Sequence, residues 1–377
     1  MSKARLLIIS FSNIASDARV LKQVRHFAKT YAVTTCGYGP TPVEGVEHVA
    51  LPDSASFRTW TRRDIALRRF AKIYWNMPAV VAAAKALAGH DRFDVIVAND
   101  IDTVGLALSL DPIHGVHADI HEYAPRQNEE VLLWRLLVSP YATWMCRQFL
   151  PRASSMTTVG EGIAAEYANV FAVDPGVATN AAPYQDFTPT PVDSPLRLVH
   201  SGAALQNRHL EMLIDAAERT SANVTLDLYL MPNEPEYLQR LTEMAVGSSR
   251  VRVLPPVPYA QLLSVLNGYD VGLHVIPPTN FNNRWALPNK FFDYVQARLG
   301  LVIGPSPEMA RILNHHGLGA VTGEFSTQAL TDVLDGLSED QVARWKAQSH
   351  NAASELSAET QIGVWDAAVK TLLARHA

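Results

Sequence analysis

Within Leu287-Pro288-Asn289-Lys290-Phe291-Phe292-Asp293-Tyr294, a lysine and an aspartate stand three residues apart behind a proline. Proline is at home in the first turn of a helix, where no backbone N–H is required. Asn289 and Lys290 then fall near the positive end of that helix, a place suited to anionic phosphate. Asp293, one turn further on, shares their face. Gly300-Leu301-Val302-Ile303-Gly304 follows as a short apolar strand. This order suits a nucleoside diphosphate, with Lys290 on phosphate and Asp293 on ribose hydroxyls. The same spacing also describes a surface helix whose Lys and Asp merely pair.

Short apolar runs alternate with helical patterns along the chain, which predicts α/β architecture with doubly wound sheets. In the first half the runs at 6–10, 32–37, 95–98, 115–120 and 155–159 read as strands, and 17–29, 62–88, 103–108, 129–149 and 161–168 as helices. In the second half the strands are 196–200, 225–230, 251–254, 271–275 and 301–303, and the helices 208–220, 235–246, 259–266, 289–297, 307–314 and 327–334. Pro183, Pro189, Pro191 and Pro195 form a stiff linker between the halves. The expected domains are therefore residues 1–185 and 186–360. Residues 361–377 carry Ile362, Trp365, Val369, Leu372 and Leu373 on one helical stripe.

Several polar groups fall at the carboxyl ends of first-half strands, where open α/β sheets bind ligands. Asp17 and Arg19 follow the first strand, Asn99 and Asp100 the third, and His121-Glu122-Tyr123 the fourth. Ser16 or Asp17 can cap the next helix, leaving Arg19 as a surface ion-pair partner in the plainer reading.

These segments resemble the retaining GT-B glycosyltransferases of the large group-1 (GT4-like) family. Its donor-site helix often reads N-K-x-x-E-Y before a G-x-P-V-I-like strand; Asp293 stands in the glutamate position and Leu301 in the proline position. The family's second acidic residue, eight positions before the ribose-binding one, is Trp285 here. Its G-R-L-x-x-x-K-G loop is matched at Gly202 and at Arg208, which takes the lysine position, while Ala203 replaces the arginine. Ser16-Asp17-Ala18-Arg19-Val20 is similar to the S-D-x-R-V run of a subgroup. The resemblance implies two Rossmann-like domains facing an interdomain cleft, with the terminal helix crossing back to the N-terminal domain. The N-terminal domain would bind the acceptor and the second the nucleotide sugar.

Transfer would proceed with retention, without a metal and without a cofactor beyond the nucleotide-sugar co-substrate. Arg208 and Lys290 would neutralise the leaving diphosphate, with Gly202, Asn289 and Asp293 completing the donor site. His121 would position the reacting sugar, and Asp17, Arg19, Asn99, Asp100 and Glu122 would lie on the acceptor side. A rival reading takes Asp100-Ile101-Asp102 as the metal-binding D-x-D of a GT-A transferase, which leaves the second-half phosphate motifs unexplained. A sugar-nucleotide epimerase on the GT-B fold, or a binding protein with a decayed donor site, would use the same ligand.

Composition limits the remaining classes. A chain of 377 residues, 48 % hydrophobic and with 23 prolines, predicts a globular protein of two domains. A net charge of −5 with no broad basic face argues against a nucleic-acid partner. Cys36 and Cys146 lack any disulfide or zinc pattern. The thirteen histidines form no H-E-x-x-H, no G-x-S-x-G is present, and Gly37-Tyr38-Gly39-Pro40 lacks dinucleotide-loop spacing. No 18-residue apolar run occurs, so a cytoplasmic protein is expected. Across residues 57–75, Arg58, Arg62, Arg63, Arg68, Arg69 and Lys72 interleave with Phe57, Trp60, Phe70, Tyr74 and Trp75. That mixture suits peripheral contact with the inner face of the plasma membrane and a sugar or lipid-linked acceptor.

Overall fold

The computed structural model describes residues 3–57 and 59–374. The chain divides into two units: unit 1 comprises Met1–Thr179, Asn280–Asn282 and Gln361–Ala377, and unit 2 comprises Asn180–Thr279 and Asn283–Thr360. The division falls six residues before the expected 185/186 boundary.

Unit 1 is built on a seven-stranded sheet, β1 (Arg5–Asn13), β2 (Ala32–Tyr38), β3 (Glu47–Ala50), β4 (Val95–Asn99), β5 (Val116–Ile120), β6 (Ser155–Thr158) and β7 (Gly176–Val177). The order is β3-β2-β1-β4-β5-β6-β7, and every pairing is parallel. Strands β4 and β5 are buried along their whole length, as both-face coverage by helices requires. The chain reverses its direction of growth between β1 and β4, which makes their carboxyl ends a topological switch point. Trp365, Val369 and Leu372 of the helix Ala358–Ala374 pack into the core with Leu6, Ile8, Val95 and Val97. Burying the two aliphatic side chains contributes roughly 1.5–3 kcal/mol each. Residues 375–377 of the expected terminal segment lie outside the described residues.

Unit 2 carries β8 (Leu196–Ala203), β9 (Val224–Met231), β10 (Val251–Leu254), β11 (Val271–His274), β12 (Gly300–Ile303) and β13 (Gly319–Val321). Their order, β10-β9-β8-β11-β12-β13, is again all parallel, with the switch point between β8 and β11. Two apolar clusters cover the faces of this sheet, one around Leu213, Leu226 and Leu273 and one around Phe291, Phe292 and Leu301. With two doubly wound sheets of this order the architecture is α/β of the GT-B type, and the GT-A alternative falls with it.

The proline segment is held against unit 2: Ala181 and Ala182 are buried there, and Gln185 donates its N–H to Gln296 and accepts from Arg298. Two expectations need correction. The predicted helix over 62–88 is not continuous. It is cut into Arg62–Ala66, Phe70–Trp75 and Pro78–Leu87, with Arg68 at a left-handed φ of 51° in the first break and Pro78 starting the last helix. Finally, two of the aromatics there serve the core: Phe70 and Tyr74 pack on Tyr141 and Phe149. Arg62, Arg63, Arg68, Arg69 and Lys72 remain exposed, and Arg58 lies outside the described residues.

Candidate active site

Unit 2 gathers its polar groups at the switch point. Pro288 is the N-cap of the helix Asn289–Gln296, one position earlier than a proline inside the first turn. Its extended backbone leads directly into that turn, setting exposed Asn289 and half-buried Lys290 at the amino end. Lys290 reaches back over Gly202 at the carboxyl end of β8, where a Cβ would lie 2.7 Å from its Cε. Both the backbone, at a φ of 156°, and the overlying lysine therefore favour glycine there.

Arg208 ends a short turn, Gln206–Arg208, and is also half-buried. Neither the Lys290 ammonium nor the Arg208 guanidinium makes a hydrogen bond or ion pair among the described residues. Burial, reinforced by the neighbouring Arg208 cation, lowers the Lys290 pKa to about 8 against a weaker opposing effect of Asp293. Burial likewise lowers that of Arg208. Two partly desolvated cations held close together form a receptor for an anion.

Two histidines beneath them were missed in the sequence. His200 on β8 and His274 at the end of β11 stack with ring centroids 6.4 Å apart. Burial, helped by Lys290, drives His200 down to about 3, and it drives His274 well below its ordinary value. His200 Nδ1 donates to the Leu273 carbonyl at 2.9 Å, which leaves Nε2 as an acceptor. His274 Nδ1 is buried without a hydrogen-bond partner among the described residues, and its side chain lines a small cavity with Arg208, Asn283 and Ser306. A polar residue ending an otherwise apolar strand run was the signal available. Asp293 is 4 % exposed, and its Oδ1 accepts from Tyr259 Oη at 3.3 Å.

Unit 1 presents a separate cavity of 320 Å³ lined by the aromatic residues Trp60, Trp134 and Tyr141 and the polar residues Asp100, His121 and Glu122. Asp102 also borders it. His121 has its Nδ1 3.4 Å from Asp100 Oδ2 and its Nε2 3.2 Å from Asn99 Oδ1 and 3.5 Å from Asp119 Oδ2. Burial opposes the imidazolium, but the two carboxylates outweigh it and raise the His121 pKa. Asp100 sits at a left-handed φ of 63°, a conformation that costs roughly 1–3 kcal/mol and aims its carboxylate at the His121 side chain and backbone N–H.

The remaining first-unit candidates lie under the cavity or beside it. Arg19 is buried in a two-point ion pair with Asp119 at 2.8 and 2.7 Å, donates to the Ala178 carbonyl, and stacks over Trp365 at 4.7 Å. Gln23 and Thr157 also donate to Asp119. Burial alone would raise the Asp119 pKa; Arg19 and His121 hold it well below the usual range. Arg19 is thus a support for the floor on which His121 rests, not a wall of the cavity. Asn99 is equally buried and bridges Gln23 to His121. Asp17 caps the helix Ala18–Phe27, accepting from the Arg19 and Val20 N–H groups.

No protein-family model matches the sequence, and no curated protein matches it. Solved structures do match its fold. Sucrose-phosphate synthase from Thermosynechococcus elongatus superposes with a TM-score of 0.74 at 13 % identity, covering 99 % of this chain and 100 % of that one. Anabaena Alr3699/HepE, solved in complex with UDP, superposes with a TM-score of 0.71 at 13 % identity over 98 % of this chain and 100 % of that one. The α,α-trehalose 6-phosphate synthase of Burkholderia multivorans gives 0.69 at 12 % identity, with both chains covered at 100 %. At these identities the likeness establishes the GT-B fold.

Proposed function

We propose that the protein is a glycosyltransferase that moves a sugar from a nucleoside diphosphate sugar to an acceptor hydroxyl. The observation that carries this reading is the pair of half-buried cations, Lys290 and Arg208, that lack protein counter-ions at the switch point of unit 2. Structural neighbours support it: HepE was solved with UDP and glucose, and two others are synthases of sugar phosphates.

In this reading the donor diphosphate lies against Lys290 and Arg208, with Gly202 leaving room for the lysine and Asn289 at the helix start beside it. As the bond from the anomeric carbon to the diphosphate oxygen breaks, negative charge grows on that oxygen, and the two cations stabilise it. Both cations are in place before the charge appears, which is what makes the stabilisation effective. The leaving diphosphate takes the acceptor's proton on the face it departs from, and the new bond forms with retained configuration. No metal is needed because the two side chains supply the positive charge. His121, held by Asp100, Asn99 and Asp119, orients a hydroxyl at the cavity of unit 1, and Glu122 borders the acceptor. The acceptor belongs to cell-envelope polysaccharide or glycolipid synthesis.

Incubation with UDP-, GDP- and dTDP-sugars tests the reading. Slow nucleotide release that survives chelator and is lost in Lys290→Ala supports transfer. A changed sugar on an intact nucleotide would establish epimerisation, and binding without turnover a decayed site.

A further inference from the structure

Among the described residues no helix is long and apolar enough to cross a membrane. One turn of unit 1 nevertheless presents an apolar surface outward. Val131, Leu132, Leu133 and Leu136 are 51, 56, 69 and 59 % exposed, four apolar side chains within six residues. Single exposed leucines are ordinary, but a contiguous group marks a surface that is covered in use. The turn continues into a π-helix, Trp134–Val138, whose Trp134 and Val138 face the other way and line the 320 Å³ cavity. One element thus forms both the cavity wall and the apolar spur.

Cations flank the spur. The helix Arg62–Ala66 packs beside the π-helical turn, and Arg62, Arg63 and Arg68 are exposed with no side-chain hydrogen bond or ion pair among the described residues. Leu67, 54 % exposed, stands among them, and Arg135 is exposed on the spur itself. Apolar side chains ringed by free arginines match the acyl boundary and headgroup layer of an anionic bilayer. A protein partner would need carboxylates aligned with each arginine, whereas a lipid surface supplies phosphate anywhere.

We propose that residues 131–136 insert into the surface of an anionic phospholipid bilayer, with Arg62, Arg63, Arg68 and Arg135 on its phosphates. The acceptor is then a lipid whose polar head enters the cavity beside His121 and whose chain runs over Leu133 and Leu136 into the bilayer. The acceptor class rests on the transfer reading; the membrane contact does not.

Leu133→Cys carrying an environment-sensitive NBD label reads the insertion directly, since Cys36 and Cys146 are buried. With vesicles of phosphatidylglycerol and phosphatidylcholine the emission should rise several-fold and shift to the blue, and should change little with phosphatidylcholine alone. In co-sedimentation without donor, Leu132→Asp/Leu133→Asp/Leu136→Asp should reduce the bound fraction at least tenfold with an unchanged melting curve. Arg62→Ser/Arg63→Ser/Arg68→Ser should remove most of the salt-sensitive part. An NBD signal indifferent to anionic vesicles, or full binding by the triple aspartate variant, overturns the proposal. So does a dimer in sedimentation velocity that the triple aspartate variant dissociates while vesicles capture neither form: a second copy would then cover the spur. Because no sugar nucleotide is present, failure here leaves the transfer reading standing, and failure of transfer leaves the vesicle result standing.

Discussion

Lys290 fills the space that a side chain at Gly202 would need, with a Cβ there only 2.7 Å from Lys290 Cε. Gly202→Ala should therefore push the ammonium out of position and, at a φ of 156°, add backbone strain at the end of β8. Overpacking of this kind costs about 1–3 kcal/mol. Nucleotide affinity should fall roughly tenfold, or about 1.4 kcal/mol, by titration calorimetry. An unchanged dissociation constant would show that Lys290 does not hold the nucleotide.

Removing either cation should act on turnover more than on folding. Lys290→Ala or Arg208→Ala should lower kcat/KM by the equivalent of about 2–4 kcal/mol. Neither change breaks a protein ion pair, so melting temperatures should be kept or raised. Wild-type kinetics in both variants would remove the donor assignment.

Lys290 also sets a pH limit. With its pKa lowered to about 8, it loses its charge as pH rises through that value, and nucleotide affinity should weaken there. Binding a diphosphate favours the ammonium, so at pH 8 binding should take up protons, read as a dependence of the calorimetric enthalpy on buffer ionisation. In the protein without nucleotide the sign for stability is opposite. The unfolded lysine holds its proton up to about 10.5, so this group's contribution to stability rises between about pH 8 and 10.5.

Asp100→Asn should lower the pKa of His121. The substitution removes the carboxylate 3.4 Å from Nδ1, leaving burial to be opposed by Asp119 alone. Proton-detected NMR titration of the imidazole measures the shift, and the acid limb of the activity profile should move with it. If the His121 titration is unmoved, Asp100 does not govern its protonation.

Acid should destabilise the fold through three buried neutral histidines. His117 is held at about 4 and His200 at about 3, both chiefly by burial, and His274 lies well below its ordinary value. As pH falls below 6.5 the unfolded chain binds protons that these folded imidazoles refuse, so stability is lost toward their folded pKa values. Each group contributes a slope of about 1.4 kcal/mol per pH unit in that window. Urea unfolding at pH 7 and pH 5 should show the loss, and His200→Gln should reduce it.

The alternation of strands and helices was legible because parallel strands buried on both faces read as unbroken apolar runs, such as Val95–Asn99. Short edge strands were not: Glu47–Ala50 and Gly176–Val177 bury too little to leave a pattern. The helix Glu339–Ala352 was also missed, since its buried face includes Lys346 and Ser349, polar residues that satisfy their hydrogen bonds in tertiary contacts. At the site, Lys290 and Gly202 stood out by type and spacing. Their mutual packing did not, since it joins residues on different elements. Arg19 shows the opposite limit: its position after β1 pointed to a ligand, whereas its partner Asp119 lies a hundred residues away and takes two of its hydrogen bonds, the Ala178 carbonyl a third.

Trp365, Val369 and Leu372 share a core with Leu6 and Ile8, so β1, synthesised early, waits for the much later helix Ala358–Ala374. Chains generally fold domain by domain from the amino end during synthesis. Here the order is reversed in part: unit 2, drawn almost wholly from the interior of the sequence, can complete its own core while unit 1 still lacks a helix. Until synthesis passes residue 372, the apolar surface of Leu6, Ile8 and Val24 is open to wrong partners. A released fragment ending at residue 360, which keeps all of unit 2 and lacks Gln361–Ala377, should accordingly be cut by proteases in its first half and not in its second.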